Sequence, residues 1–351
     1  MAQTEQAVGI LGIDTQANRL YPPTLGLGWD PLRNFDRGPI NAQSYSNYNQ
    51  SVILSGLHKS LNRGFSLEAV KWGLEQFYTN KVVRGWSWNV LLEYSLDSIG
   101  PADPTAFLRV NYLKINFPER PEAYITAVLI LAQAKKTNVI LFANLLYPEL
   151  KIKGVSERLA MNIIPELVQP EFDAALQQRN LTRGIYAIYA LANFEKQLFS
   201  KRYDTYNPIA LIYESFTKIY PTNQPTYTTL LLEAAVQENW RWEPRSMKIY
   251  LMLLHLHCTN NIPTISVIQQ FPADNVQFLD KMFRDRQQLI SYFGPADYQL
   301  DLSTDEGRKQ KATKESWIRN VSVLANEDPN WAPLSNFYKI EVGKKKSKKI
   351  R

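Results

Sequence analysis

His255, His257 and Cys258 are metal-ligand types within four residues of one another, and His58 completes the three histidines of the chain. Zinc asks for three or four converging ligands, with the remaining ring nitrogens held by further partners. Residues two apart on a helix point in different directions, so His255 and His257 would not chelate together. They read as buried or interface histidines, and no metal or other cofactor is expected. Glu93 and Asp97 are four apart and would share a helix face that could hold a cation or do acid–base work. With no partner base or further acids at matched spacing, a solvated face is the expectation. No catalytic residue is assigned, and the chain reads as a non-enzyme.

The phrase His58-Lys59-Ser60, with Arg63 close behind, combines a hydroxyl donor with cations at a predicted helix end, as phosphate contact requires. A second basic pair, Lys135-Lys136, could line the same surface. For both groups a structural alternative stands: terminating a helix, complementing its C-terminal dipole, or meeting acids on a neighbouring subunit. The tail GKKKSKKIR adds Lys344, Lys345, Lys346, Lys348, Lys349 and Arg351. It carries six of the net seven positive charges and leaves the body at about +1. A basic tail can neutralise phosphates in a salt-dependent way, serve as a nuclear-import signal, or simply be solvated. The twelve candidate DNA-contacting residues are therefore His58, Lys59, Ser60, Arg63, Lys135, Lys136 and the six tail cations. Nineteen tyrosines and eight tryptophans could stack on bases, but most fall among Leu and Ile on helix faces, which favours a core or subunit interface.

The elements that must position these residues read as helices throughout, so the expected fold class is all-α, a multi-helix bundle. Residues 1–49 are dense in Pro and Gly and predict an extended arm, with disorder as the alternative. Val52, Ile53, Leu54 and Leu57 share a face of a helix that stops near Gly64. Ser66 caps a second helix with Leu67, Val70, Leu74, Phe77 and Tyr78 at three- and four-residue intervals. A third is expected over about 87–98, stopping at Gly100-Pro101. A fourth starts behind Asp103 and Pro104. A fifth, opened by Pro121, is apolar nearly all round and belongs in the middle of a bundle. The sixth starts at Thr137 or Asn138 and closes at Pro148. Residues 50–150 thus predict one helical domain. Helix pairs continue through 151–293 as a second domain. Residues 294–343 are expected to be an exposed linker and a short helix with Trp317, Ile318, Val321 and Leu324, ahead of the tail at 344–351. Apolar runs 127–134 and 249–256 are too short to span a bilayer, and no secretory leader is recognisable, so an intracellular protein of cytoplasm or nucleus is expected, without membrane contact. The single Cys258 fits a reducing compartment.

Three phrases in the first domain occur in a telling order. They are Leu57-His58-Lys59-Ser60 with Arg63-Gly64, Ala69 and Trp72; Ile99-Gly100 with Ala102-Asp103-Pro104 and Ala106; and Pro121-Glu122 with Ala127, Leu131-Ala132, Ala134-Lys135 and Thr137-Asn138. Together they resemble the C-terminal helical region of the MgsA/RarA/WRNIP1 family of AAA+ ATPases, relatives of the clamp-loader subunits. The match spans somewhat over a quarter of the chain. The resemblance implies a clamp-loader-collar-like bundle that holds copies together as a homotetramer, on proteins that act at stalled or damaged replication forks. The family's ATPase precedes this region, whereas some fifty residues precede it here. No G-x-x-x-x-G-K-[ST] phosphate loop occurs, and Tyr94-Ser95-Leu96-Asp97-Ser98 keeps one acid where the family has a pair. The expectation is a collar without its motor: an oligomeric scaffold for DNA replication or repair, with itself, DNA and replication or repair proteins as partners. The alternative is a structural or packaging protein, perhaps of a large DNA virus, that reuses the same bundle.

Overall fold

The structure is a computed structural model and describes residues 43–146, 165–200, 208–220, 226–237, 245–263, 279–281, 283–285, 295–300 and 304–344. The described residues are mostly helical and contain no strand, so the fold is all-α; two isolated bridges, Gln43 with Asn49 and Lys136 with Glu327, are their only β-type pairings. The arm over residues 1–42 and the tail from 345 onward lie outside the described residues.

The chain divides into two compact units, and the division differs from the expected one at residues 50–150 and 151–293. The first unit comprises Asp30–Asn138 together with Ile268–Pro333. The second comprises described residues of Val139–Val267 with those from Leu334 onward. The sixth helix leaves the first domain, and much of the expected linker enters it.

In the first unit α1 (Gln50–Asn62), α2 (Ser66–Thr79), α3 (Lys81–Tyr94), α4 (Thr105–Asn116) and α5 (Pro121–Gln133) form the bundle. The third helix starts six residues earlier than expected because the Asn80 side chain accepts the Val83 N–H at 2.9 Å, a side-chain N-cap the hydrophobic pattern did not reveal. It ends in a widened π-type turn over Ser95–Ile99 before Gly100 reverses the chain at φ 46°. The apolar helix α5 is central as expected, with Ala123 through Val128 and Leu131 buried. Around it the aromatic rings interlock. Tyr124 lies 5.1 Å from Phe77 and 5.0 Å, edge to face, from Trp88, whose indole N–H donates to the Pro118 carbonyl at 2.9 Å. Gly56 and Gly73 permit this closeness: a Cβ on Gly56 would sit 2.7 Å from the Trp72 ring, and one on Gly73 would sit 2.9 Å from Tyr124. Short helices α12 (Asp305–Lys309) and α13 (Lys314–Val321) belong to the same unit. A capping box of Thr313 and Ser316 starts α13.

The second unit holds α6 (Val139–Leu146), α7 (Pro165–Gln177), α8 (Leu181–Ser200), α9 (Pro208–Ile219), α10 (Tyr227–Gln237) and α11 (Arg245–Thr259). From Leu334 it also takes α14 (Ala332–Lys344), a further helix in the stretch expected to hold a linker and one short helix. Helix α11 is its spine: Ile249 through Leu256 are buried without interruption, and α6, α7, α8 and α10 pack on it. The rings of Phe172, Phe216 and Tyr250 link α7, α9 and α11 in sequence.

Candidate nucleic-acid interface

The three phrases that stand far apart in sequence meet at one end of the first unit. Helix α1 closes with a left-handed Gly64 at φ 68°; the Gly64 N–H donates to Leu61 and the Phe65 N–H to Ser60, satisfying the last carbonyls. The Tyr94 hydroxyl, five residues ahead of the second phrase, donates to the Asn62 side chain at 2.7 Å. The third phrase arrives through the Thr137 N–H, which donates to the Ser98 carbonyl at 2.9 Å.

Two segments from the C-terminal part of the first unit fasten this junction. Residues 320–328 run across it. The Ala325 N–H donates to the Asn62 carbonyl at 2.6 Å, while the Asn62 and Asn138 amides both donate to the Val321 carbonyl at 3.1 Å. The Lys136 N–H donates to Asn326 at 3.1 Å and the Asp328 N–H to Lys136 at 2.9 Å. Residues 295–300 plug the side of α1. The Gln299 carbonyl accepts from the Ser55 hydroxyl at 2.5 Å and the Lys59 ammonium at 3.1 Å. The Gln299 amide donates to Glu68 at 2.7 Å and to Ser60 at 3.3 Å, and the Tyr298 hydroxyl donates to Glu68 at 2.7 Å. Residues 295–300 are thus no exposed linker: Gln299 is wholly buried. On α2 a third docking occurs, where the buried Glu75 carboxylate accepts from the Ser44 hydroxyl and from both the N–H and hydroxyl of Ser46.

These contacts reassign several candidate DNA contacts. Lys59 is 3% exposed and Ser60 and Lys136 are wholly buried, so none of them presents its polar group to a surface phosphate. The Lys136 ammonium donates to the carbonyls of Ala132 (2.7 Å) and Ala134 (2.9 Å), which ends α5 from its own C-terminal side. Burial pulls its pKa down to about 8, and Asp103 opposes that shift. Helix termination, one of the alternatives weighed, is what Lys136 provides, whereas Lys59 holds a segment of the same chain that is remote in sequence. His58 is half-buried with its ring 5.5 Å from Tyr94. Arg63 is half-buried, its guanidinium 4.3 Å over the Tyr298 ring and 3.4 Å from the carbonyls of Lys59 and Asn320. Lys135 alone keeps most of its side chain in solvent, at 66%, with Asp328 3.8 Å away. Of the tail, Lys344 is the last residue of α14; Lys345, Lys346, Lys348, Lys349 and Arg351 lie outside the described residues.

The remaining candidates are dispersed. His255 is buried, its Nδ1 2.6 Å from the Leu251 carbonyl, and burial lowers its pKa to about 4. His257 uses Nε2 on the Leu176 carbonyl at 2.8 Å and Nδ1 on the Tyr220 hydroxyl at 2.6 Å. Both rings thus serve the core of the second unit, and no group of three metal-ligating side chains occurs among the described residues. Burial raises the Cys258 thiol to about 11, the opposite of what a nucleophile needs. Glu93 lies in α3 and Asp97 in the widened turn after it, so the regular four-residue spacing does not apply to them. Gln299, Glu68 and Glu75 escaped the sequence reading. A signal was available: Ser55, Lys59 and Asn62 form a polar stripe at four- and three-residue spacing along an otherwise apolar helix, which asks for a polar partner. No protein-family model, curated protein or solved structure matches this chain.

Proposed function

We propose that this protein is a non-enzymatic helical scaffold that self-associates through its first unit, in the manner of a clamp-loader collar, and works on DNA in replication or repair. The observation that carries the reading is the meeting of the three resembling phrases in one junction: a likeness spread over some eighty residues of sequence falls on a single structural feature. The absence of a phosphate loop from the sequence favours a scaffold over a motor. DNA contact rests on the tail cations with Arg63 and Lys135, because Lys59 and Lys136 are engaged in the interior.

Light scattering at micromolar concentration, with and without forked DNA, tests both halves. The expected result is a closed oligomer of about four copies and DNA binding that weakens with salt. Deleting residues 344–351 should flatten the log–log salt slope by about 0.9 for each cation that neutralises a phosphate. A strict monomer overturns the collar reading, and salt-independent binding overturns the DNA reading. Negative-stain images that show sheets or shells instead of closed rings would favour the packaging alternative.

A further inference from the structure

We propose that the corner of the first unit around Arg63 and Phe65 is a stacking platform for single-stranded nucleic acid, taking bases on Phe65, Leu67 and Val323 and a neighbouring phosphate on Arg63. The inference rests on the DNA contact proposed above and names the form of DNA that this site takes.

Apolar exposure gathers at this corner. Nine large apolar side chains are exposed among the described residues, and three of them, Phe65 (49%), Leu67 (61%) and Val323 (47%), belong here. Phe65 and Leu67 stand at the start of α2. Val323 arrives on a segment remote in sequence, which is tied to Asn62 through the Val321 carbonyl and the Ala325 N–H. Exposed apolar side chains scattered singly need no explanation, whereas a gathered set marks a contact surface.

The polar groups beside it suit a nucleotide. The Arg63 guanidinium lies 4.3 Å over the Tyr298 ring, and Phe65 meets that ring edge to face at 6.4 Å, so a cation stands beside a half-exposed aromatic side chain as a phosphate stands beside a base. Among the described residues only Nη1 of Arg63 is engaged, at 3.4 Å from two carbonyls, which leaves Nε and Nη2 for phosphate oxygens. Exposed Arg319 adjoins Asn320, which supplies one of those carbonyls. Glu68, in the first turn of α2, is taken up by the Tyr298 hydroxyl and the Gln299 amide at 2.7 Å each. Lys135 is offset by Asp328 and the exposed Glu327, so the positive side of the platform is that of Arg63.

This arrangement fits single strands better than duplexes or proteins. A duplex keeps the faces of its bases covered, whereas an unpaired base offers a face to any ring, whatever its sequence. Three side chains are too few for the buried core of a stable protein interface. The platform is also fixed in advance: the left-handed Gly64 and the Phe65 N–H, bonded to the Ser60 carbonyl, set the turn that carries the ring.

Fluorescence anisotropy with full-length protein, a labelled oligo(dT) strand and a labelled duplex of equal length tests the proposal. Wild type should bind oligo(dT) more tightly than duplex at the same salt. Phe65→Ala should weaken oligo(dT) binding about fivefold or more, leave duplex binding and the salt slope unchanged, and be rescued by Phe65→Trp. Arg63→Gln should instead lower the oligo(dT) salt slope by about 0.7, the loss of one phosphate contact. Circular dichroism checks that the variants keep their helix content. A second readout needs no variant: oligo(dT) carrying 5-iododeoxyuridine should photocrosslink to the peptides of Phe65 or Tyr298. Oligo(dT) binding that Phe65→Ala leaves intact, or crosslinks confined to the tail, overturns the platform while the DNA reading stands. Wild type that binds neither DNA overturns both.

Discussion

The two units bury polar groups to different ends. In the first, Lys59, Glu75, Lys136 and Gln299 are removed from water, and each is matched to main-chain or side-chain groups of a segment that arrives from elsewhere or ends a helix. In the second, the spine α11 is buried along the mainly apolar run Ile249 to Leu256, with His255 bonded to the Leu251 carbonyl of its own helix and His257 to the Leu176 carbonyl of α7. Apolar burial is non-directional and holds helices together in many registers. Buried polar groups tolerate one arrangement, because every alternative leaves a donor unpaired. The first unit therefore places its sequence-remote segments through many such bonds, and the second relies on fewer, centred on His257.

The sharpest way to break this comparison is Glu75→Ala. It leaves the buried Ser44 hydroxyl and the Ser46 N–H without their acceptor and should cost about 3 kcal/mol. Hydrogen exchange should show faster opening of α2 with α11 unchanged; equal loosening of both would dissolve the distinction between the units.

Glycines sharpen it next. A methyl at Gly56 meets the ring of the buried Trp72 at 2.7 Å, and a rigid indole cannot step aside; Gly56→Ala should cost about 2 kcal/mol in a denaturant melt. Gly184→Ala in the second unit meets the flexible end of Leu254 and also gains helix propensity of about 1 kcal/mol, so it should lie near neutral.

Titration separates the units by pH. The folded-state pKa of His255 is held near 4 against an ordinary 6.5, so the unfolded chain binds the extra proton in between; stability from this group is complete above 6.5 and is lost as pH falls towards 4. His255→Leu should flatten that acid limb for α11 amides. Lys136 behaves oppositely in range: its folded pKa of about 8 lies below 10.5, so the first unit gains stability as pH rises from about 8. Above 10 the gain is opposed, because Tyr298, held up at about 12 in the fold, ionises in the unfolded chain. Lys136→Met should remove the rise for α5 amides, and a rise that persists would assign it elsewhere. A modest gain is expected from Arg179→Gly. Arg179 ends α7 in the left-handed region at φ 52°, with the Asn180 N–H bonded back to Ala175, a place where glycine is favoured by about 1 kcal/mol.

The local pattern of the chain was enough to define the helices whose apolar faces are regular, α1 and α2, and to set α5 behind Pro121 as an apolar central helix; Gly64 and Pro121 mark ends that the structure keeps. It also determined that the fold is all-α, since period 3.6 recurs wherever strands would need period 2. What it could not determine is where residues 295–300 and 320–328 go. Those segments read as a linker and the end of a short helix, and they are held in place because Ser55, Lys59 and Asn62 offer matching polar groups more than two hundred residues away, with Gln299 buried at the contact. The same lack of long-range information made Lys59 and Lys136 read as surface cations. A charge pattern gives the sign of a side chain, whereas the partner that removes it from water is chosen by the tertiary structure alone.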